Sequence, residues 1–289
     1  MKDRLAQCFF ATISFVLPGI FVVILAHVIL PTIPAATGLG ALLFDSSGVW
    51  RPLGQTPAFS IFPIVLATMY VAALAVAIAA PIGCMTAIFL NYYAGRHLTR
   101  LVLAFVDLLA GVPSVIYGFI GLVVVVRNLE RIFNMSAGES VLAAALVLSV
   151  MLLPYIISTY SESIEKAKNK YDAASLALGV SAEYSVLKVI IPVTKRGAAA
   201  AVISAFGRAS SETIAVMMVI GNAPIFPSLL GRGQTISGLT ALEIGSAEIG
   251  SIHASAIYAA NLMLLLVLGF VLLSTHFLRR KLLSEYDKI

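Results

Sequence analysis

Arg208 and Glu212 stand in the run 197–220, which otherwise carries no charge. An arginine fork matches the tetrahedral geometry of an oxyanion, donates two parallel hydrogen bonds and stays charged at any relevant pH. Measured along an ideal helix from residue 197, Arg208 lies about 16 Å in, near the middle of a bilayer. A charge there costs on the order of 2.5–3.5 kcal/mol on insertion scales, so the pair is expected to face protein or a water-filled cavity. Glu212, four residues on, would share its helix face and neutralise it in part. A free arginine would hold an anion too tightly for release, whereas a partly neutralised one binds weakly enough for passage. A purely structural ion pair accounts for the same two residues.

Other polar positions rank below this pair. Pro113, between Gly111 and Gly118, can break a helix, and such breaks are tolerated in membranes where they line a cavity, which makes Ser114 and Tyr117 candidates for the same pathway. Asp107 is about 10 Å from the near end of its helix and could reach either the pathway or the interface. Asn222 and His253 are expected as satisfied interfacial side chains, and Trp50, Tyr258 and the pair Tyr92 and Tyr93 as an aromatic belt. Catalysis has no constellation here. There is no His-Glu-x-x-His, no Gly-x-Ser-x-Gly, and the histidines at 27, 97, 253 and 276 are scattered. Without a Gly-Lys-Ser/Thr phosphate loop the chain has no usual means of hydrolysing ATP, and no metal or cofactor is expected in it. Cys8 and Cys84 are too few for a disulfide framework and are expected as free thiols.

The elements that must position these residues are membrane helices. Of 289 residues, 60% are hydrophobic and 11% charged, against roughly 25% charged in soluble domains. The net charge of +5 does not indicate nucleic acid, because 14 acidic residues accompany 19 basic ones and no basic residues interleave with aromatics. Windows almost free of charge fall near 9–30, 62–90, 101–126, 141–160, 197–220 and 254–277, which predicts six transmembrane helices. The runs are continuously apolar, so the fold class is an all-α polytopic membrane protein and not a barrel. The first run is too long for a signal peptide and reads as a retained span. The chain divides into residues 1–61, a first helix with an outer loop from Pro31 to Ile61, and residues 62–289. Fourteen Lys/Arg lie on the N-terminus, the 91–100 loop, the 161–196 segment and the tail, against four on the opposite loops. Both termini and the 161–196 segment should therefore be cytoplasmic. The second outer segment, Gly221 to His253, reads as loop or short re-entrant pieces.

The cytoplasmic segment 161–196 is longer than the 2–8 residues that usually join helices in bundles. A helix rich in Ala and Leu should end at Gly179, and another begin after Ser181 as N-cap. Ala173, Ala174 and Ala177 let a partner approach closely, with Leu176 and Tyr184 as anchors. An amphipathic hairpin lying on lipid headgroups fits the same residues.

This stretch resembles the EAA loop of ABC importer permeases, in which a tripeptide precedes a glycine and, after a fixed interval, a hydrophobic residue and proline; Gly179 and Pro192 have that interval. The family's glutamate falls on Ala173, and the neighbouring carboxylate is Asp172. Leu109-Ala-Gly-Val-Pro-Ser-Val-Ile-Tyr-Gly118, Gly207-Arg-Ala-Ser-Ser-Glu-Thr-Ile-Ala-Val, Gly250-Ser-Ile-His, Trp50-Arg-Pro and Pro81-Ile-Gly extend the resemblance over nearly the whole chain. Together they are similar to the permease subunits of phosphate ABC importers, the C type more than the A type. The resemblance implies a type I importer fold with a five-helix core, in the cytoplasmic (inner) membrane. It implies two ATPase subunits docked on Asp172, Ala173, Ala174, Leu176, Gly179, Tyr184 and Pro192, with ATP and Mg held by those partners. It also implies a second homologous permease, an extracytoplasmic phosphate-binding protein, and alternating access past Arg208 and Glu212. Sulfate, molybdate and phosphonate permeases would share the loop. A lipid-embedded scaffold or sensor without a pathway is the other class, and it has no use for a central arginine.

Overall fold

The computed structural model describes residues 2–38, 48–52 and 57–286. Helix α1 (Lys2–Gly38) is followed by the short strands β1 (Trp50–Arg51) and β2 (Ala58–Phe59), and then by α2 (Phe62–Tyr92) and α3 (Arg96–Gly111). Helix α4 (Ser114–Ile120) continues through a π-helical stretch, Gly121–Val126, into α5 (Arg127–Ile132). The long α6 (Val141–Ala177) precedes α7 (Ala182–Ser185), which runs through a second π-helical stretch into α8 (Ile191–Ser210). Helices α9 (Ile214–Val219), α10 (Ile236–Glu243) and α11 (Ile252–Tyr286) complete the chain. The thiol of Cys8 and the outer-loop stretches 39–47 and 53–56 lie outside the described residues, while Cys84 is a free thiol.

The helical class stands, and the span count changes. Among the described residues four helices are long and apolar enough to cross a membrane: Ser14–Ile33 within α1, α2, α6, and Ile252–Leu278 within α11. Helix α3 and the 114–132 stretch make a fifth if their 97° bend is a single broken span. The bend follows from Pro113, which lacks an N–H and pushes Val112 into extended backbone (φ −71, ψ 127). The expected fifth span, 197–220, is likewise broken, between α8 and α9. Helix α1 runs on through Pro31 to Gly38, so the first outer loop is shorter than expected.

The packing of α2 against α6 makes the centre. Ser140 caps α6 by accepting from the Ala143 N–H at 3.2 Å. The first α6 amides are covered by the re-entrant loop after α9: Val141 N donates to Gly231 O at 3.0 Å and Leu142 N to Leu229 O at 2.9 Å. Gly83 permits the close approach of α2, since a Cβ there would sit 2.8 Å from Ile156. Val71, Ala72, Ala75 and Ala79 of α2 and Leu148, Leu152 and Ile156 of α6 form the buried seam. Helix α1 lies against α11, where the Tyr258 hydroxyl and His27 Nε2 are 3.2 Å apart, and much of its apolar surface is exposed, as a lipid-facing helix requires.

The described parts of the segments 31–61 and 221–253 contain strand and helix and not loop alone. Trp50 pairs with Phe59 across the two strands and is 6% exposed, so it is a core residue and not part of an aromatic belt. Its Nε1–H donates to Glu243 Oε2 at 3.0 Å, and His253 Nε2 approaches the same oxygen at 2.8 Å. Trp50→Phe keeps the ring packing and removes the donor to a carboxylate, worth about 1.5–3 kcal/mol. The expected result is a lower thermal unfolding midpoint in detergent and faster proteolysis after β2; an unchanged midpoint would place the holding energy elsewhere.

Candidate functional site

Arg208 stands in the last turn of α8, where the free carbonyl end of a helix favours a cation. The helix stops at Ser210 because the serines that follow compete for its carbonyls. Ser210 Oγ donates to Phe206 O at 2.8 Å, Ser211 Oγ to Arg208 O at 3.0 Å, and Ser211 and Glu212 amides make tight i→i−3 bonds of 3.3 Å. Arg208 and Glu212 are consequently not neighbours on one helix face. Glu212 turns its carboxylate forward to the Ala215 N–H at 3.4 Å, and Ser237 Oγ donates to its main-chain carbonyl at 3.3 Å. Among the described residues there is no ion pair between Arg208 and Glu212, which corrects the expected neutralisation. The partner that Arg208 does have is the Tyr155 ring of α6, with the guanidinium carbon 5.8 Å from the ring centroid. The guanidinium is exposed on this subunit, so its donors are free to meet something beyond it.

The two broken segments pack on each other. A Cβ on Gly118 would fall 3.1 Å from Ala215 Cα and 2.7 Å from Met218 Sδ, so α4 and α9 touch through glycine. Tyr117 is buried at this contact, and its hydroxyl donates to Leu109 O at 2.8 Å, a carbonyl released by the break at Pro113. Ser114, half-buried, opens α4. Asp107 is elsewhere: it is exposed on α3, in an open groove of about 490 Å³ that it lines with Arg96, Thr99 and Arg100. Asn222 sits after α9 with left-handed backbone (φ 46), its Nδ2 donating to Met217 O at 2.7 Å.

The second site is the turn after α6. The expected first helix of the 161–196 segment is not separate but the end of α6 itself, which runs unbroken to Ala177. Gly179 takes φ +68, and the amides of Gly179 and Val180 close the helix on Leu176 O and Ser175 O at 3.0 Å each. Ser181 accepts from the Tyr184 N–H at 3.3 Å, the N-cap read from the sequence. Ala173, Ala174, Leu176, Leu178, Tyr184 and Leu187 are all exposed around this turn, and Pro192 is exposed at the start of α8. Asp172 departs from the others by turning inward, where it accepts from the Tyr92 hydroxyl at 3.2 Å.

Residues 79–282 match the profile described as binding-protein-dependent transport system inner membrane component. The chain belongs to that family. This family member is 32% identical over 247 residues to a probable ABC transporter permease protein, YqgH, of Bacillus subtilis, covering 84% of this chain and 80% of the relative. It is 31% identical to a probable phosphate transport system permease protein, PstC, of Methanocaldococcus jannaschii, over 91% of both chains. A PstC of Mesorhizobium japonicum is 32% identical over 249 residues, or 79% of this chain and 75% of the relative. Its fold is shared with a chain of an inward-facing structure of the MetNI methionine ABC transporter, at a TM-score of 0.54 and 18% identity, covering 77% of this permease and 94% of that chain. The type I importer fold read from the resemblance is thereby established, and the chain is a transport-system membrane component.

Three contributors to these sites carried no sequence signal. Tyr155, Tyr92 and Glu243 are 53, 80 and 193 residues from Arg208, Asp172 and Trp50 respectively, and none belongs to a local motif. Tyr92 had been expected in an aromatic belt; instead it is half-buried beneath Lys168, whose Nζ is 4.8 Å from its ring centroid.

Proposed function

We propose that this permease is the C-type membrane subunit of an ATP-driven importer of inorganic phosphate. The observation that carries the reading is the likeness to a phosphate transport permease over 91% of both chains. The exposed Arg208 guanidinium, seated on Tyr155 at the end of a broken helix, supplies an oxyanion contact. Arg208 is the main contact, with Glu212, Ser114 and Tyr117 along the pathway, whereas Asp107 lies apart from it in the open groove on α3. Because no carboxylate pairs with Arg208 among the described residues, the aromatic face and hydration moderate its grip, and release follows when the cavity opens to water.

The pathway is completed by a second homologous permease, since Arg208 faces out of this subunit. Two ATPase subunits, which hold ATP and Mg, dock on Ala173, Ala174, Leu176, Gly179, Tyr184 and Pro192, and an extracytoplasmic phosphate-binding protein meets the 221–253 face. Both termini are cytoplasmic, from the lysine and arginine bias. Alternating access then follows as the ATPases close, the turn moves, and the bundle rocks around Arg208.

Reconstitution with the cognate permease, ATPases and binding protein in proteoliposomes tests this reading. Labelled phosphate should accumulate only with ATP inside the ATPase-facing compartment, and excess sulfate should not compete. Equal competition by sulfate would make the chain a broader oxyanion permease, and ATP-independent equilibration would remove the pump.

A further inference from the structure

Where α6 leaves the packed bundle it is not a free rod. Its last turns are fastened to the end of α2 by contacts of three kinds. The Tyr92 hydroxyl donates to Asp172 Oδ1 at 3.2 Å. Lys168 Nζ donates to Asn91 O at 2.7 Å and lies over the Tyr92 ring. Asn91 Nδ2 donates to Ser161 Oγ at 3.2 Å, one long stretch back along α6. Across the turn, Ser175 and Ser185 hydroxyls meet at 3.2 Å, and Tyr160 and Thr194 hydroxyls at 3.0 Å, so α7 and α8 are tied to the same bundle end. Beneath these bonds Ala87, Ile164, Ala167 and Ile190 form a small buried core.

Helix α2 has 31 residues, which at 1.5 Å each makes a strut of about 46 Å. Near its far end Thr68 is 2% exposed, and its Oγ accepts from the Ile236 N–H of α10 at 3.0 Å. The docking turn and the α10 segment, at opposite ends of the bundle, are thus fastened to one helix. Asp172 is turned into the subunit, onto the Tyr92 hydroxyl. A push on the exposed face of the turn could bend the end of α6 alone. With Asp172 bonded to Tyr92, the push is delivered to α2 as well.

The geometry points to Tyr92 as a positioning residue that locks the docking turn to α2, so that movement of the turn reaches α10 through Thr68. This rests on the reading of the chain as an ATP-driven permease. Breaking the lock leaves the exposed docking residues in place and separates ATP hydrolysis from transport. It makes Tyr92 and Asp172 one unit, whose loss is counted once whichever member is removed.

The test uses the full reconstituted complex with Tyr92→Phe, Asp172→Ala and the double variant. For Tyr92→Phe, hydrolysis should stay within about twofold while uptake falls about tenfold, so that ATP used per phosphate rises about tenfold. Asp172→Ala, which removes the acceptor, should lower uptake by the same factor, and the double variant no further. A spin pair at Tyr93→Cys and Asn169→Cys reads the lock without reference to substrate: in the otherwise native complex its distance should change by less than about 2 Å on ATP trapping, and broaden once Tyr92 is Phe. If the native complex accumulates phosphate and Tyr92→Phe changes neither the ratio nor the distance, the lock is overturned. It is also overturned if Asp172→Ala releases the ATPases while Tyr92→Phe has no effect, because Asp172 then serves the partner directly. If the distance behaves as stated but the native complex moves no phosphate, the lock stands and the phosphate reading falls.

Discussion

Arg208→Gln should reduce phosphate uptake about a hundredfold, since two charge-assisted hydrogen bonds worth about 1.5 kcal/mol each are lost, and each 1.4 kcal/mol is tenfold. Folding should survive. The guanidinium is exposed on its subunit and contributes packing only through the Tyr155 ring, and glutamine retains most of the aliphatic stem. The measurement is ATP-dependent uptake in proteoliposomes beside a subunit stoichiometry from purification, so that transport and assembly are read separately. Glu212 provides the contrast. On a continuous helix its removal would strengthen the arginine's hold and slow release, with an effect comparable to that of Arg208. In the observed geometry its carboxylate faces the Ala215 N–H and not the guanidinium. Glu212→Gln, which still presents an acceptor there, should therefore lower uptake by less than about threefold, the loss of a few tenths of a kcal/mol. Equal effects of the two substitutions would restore the ion pair in the working complex.

Leu176→Glu should abolish co-purification of the ATPase subunits. Leu176 is 71% exposed and Leu178 81% exposed on the turn that ends α6, with Tyr184 and Leu187 beside them. Apolar side chains this exposed outside the helical bundle are otherwise hard to account for, and anchors of this type carry about 2–4 kcal/mol each at an interface. A carboxylate placed there must be desolvated against the partner, so the ATPase affinity should fall on the order of 30-fold to 1000-fold. The turn itself is held by Gly179 at φ +68 and the Ser181 cap, neither of which is touched. The variant should therefore still insert and pair with the second permease. Retained ATPase with normal hydrolysis would move the docking surface elsewhere and favour a hairpin resting on lipid headgroups.

Local pattern was enough for much of this. The apolar windows located α2, α6 and α11, and the Gly179 and Ser181 signals located the turn after α6 to the residue, because caps and left-handed glycines act within four residues of chain. The window count missed both breaks, of which the one at Pro113 was legible as a helix-breaking proline and the one between α8 and α9 was not. Hydropathy sums over a window and cannot register that Ser210 and Ser211 turn their hydroxyls back on the α8 carbonyls, or that Pro113 bends the chain through 97°. Arg208 was legible as a charge in an apolar run, but its i+4 relation to Glu212 presumed a helix that ends two residues earlier.

What composition, span periodicity and capping signals established was a helical membrane protein with a long polar segment between its fourth and fifth apolar runs, together with candidate residues for meeting an anion or a partner. Those are properties of short stretches, set by solvent transfer and by hydrogen bonds a few residues long. Pairings across tens to hundreds of residues had to come from the packed helices: Arg208 on Tyr155, Asp172 on Tyr92, and Trp50 with His253 on Glu243. Such contacts depend on how two helices or loops are juxtaposed, at distances where a change of a few ångströms makes or removes a hydrogen bond. No spacing within a single segment encodes that juxtaposition.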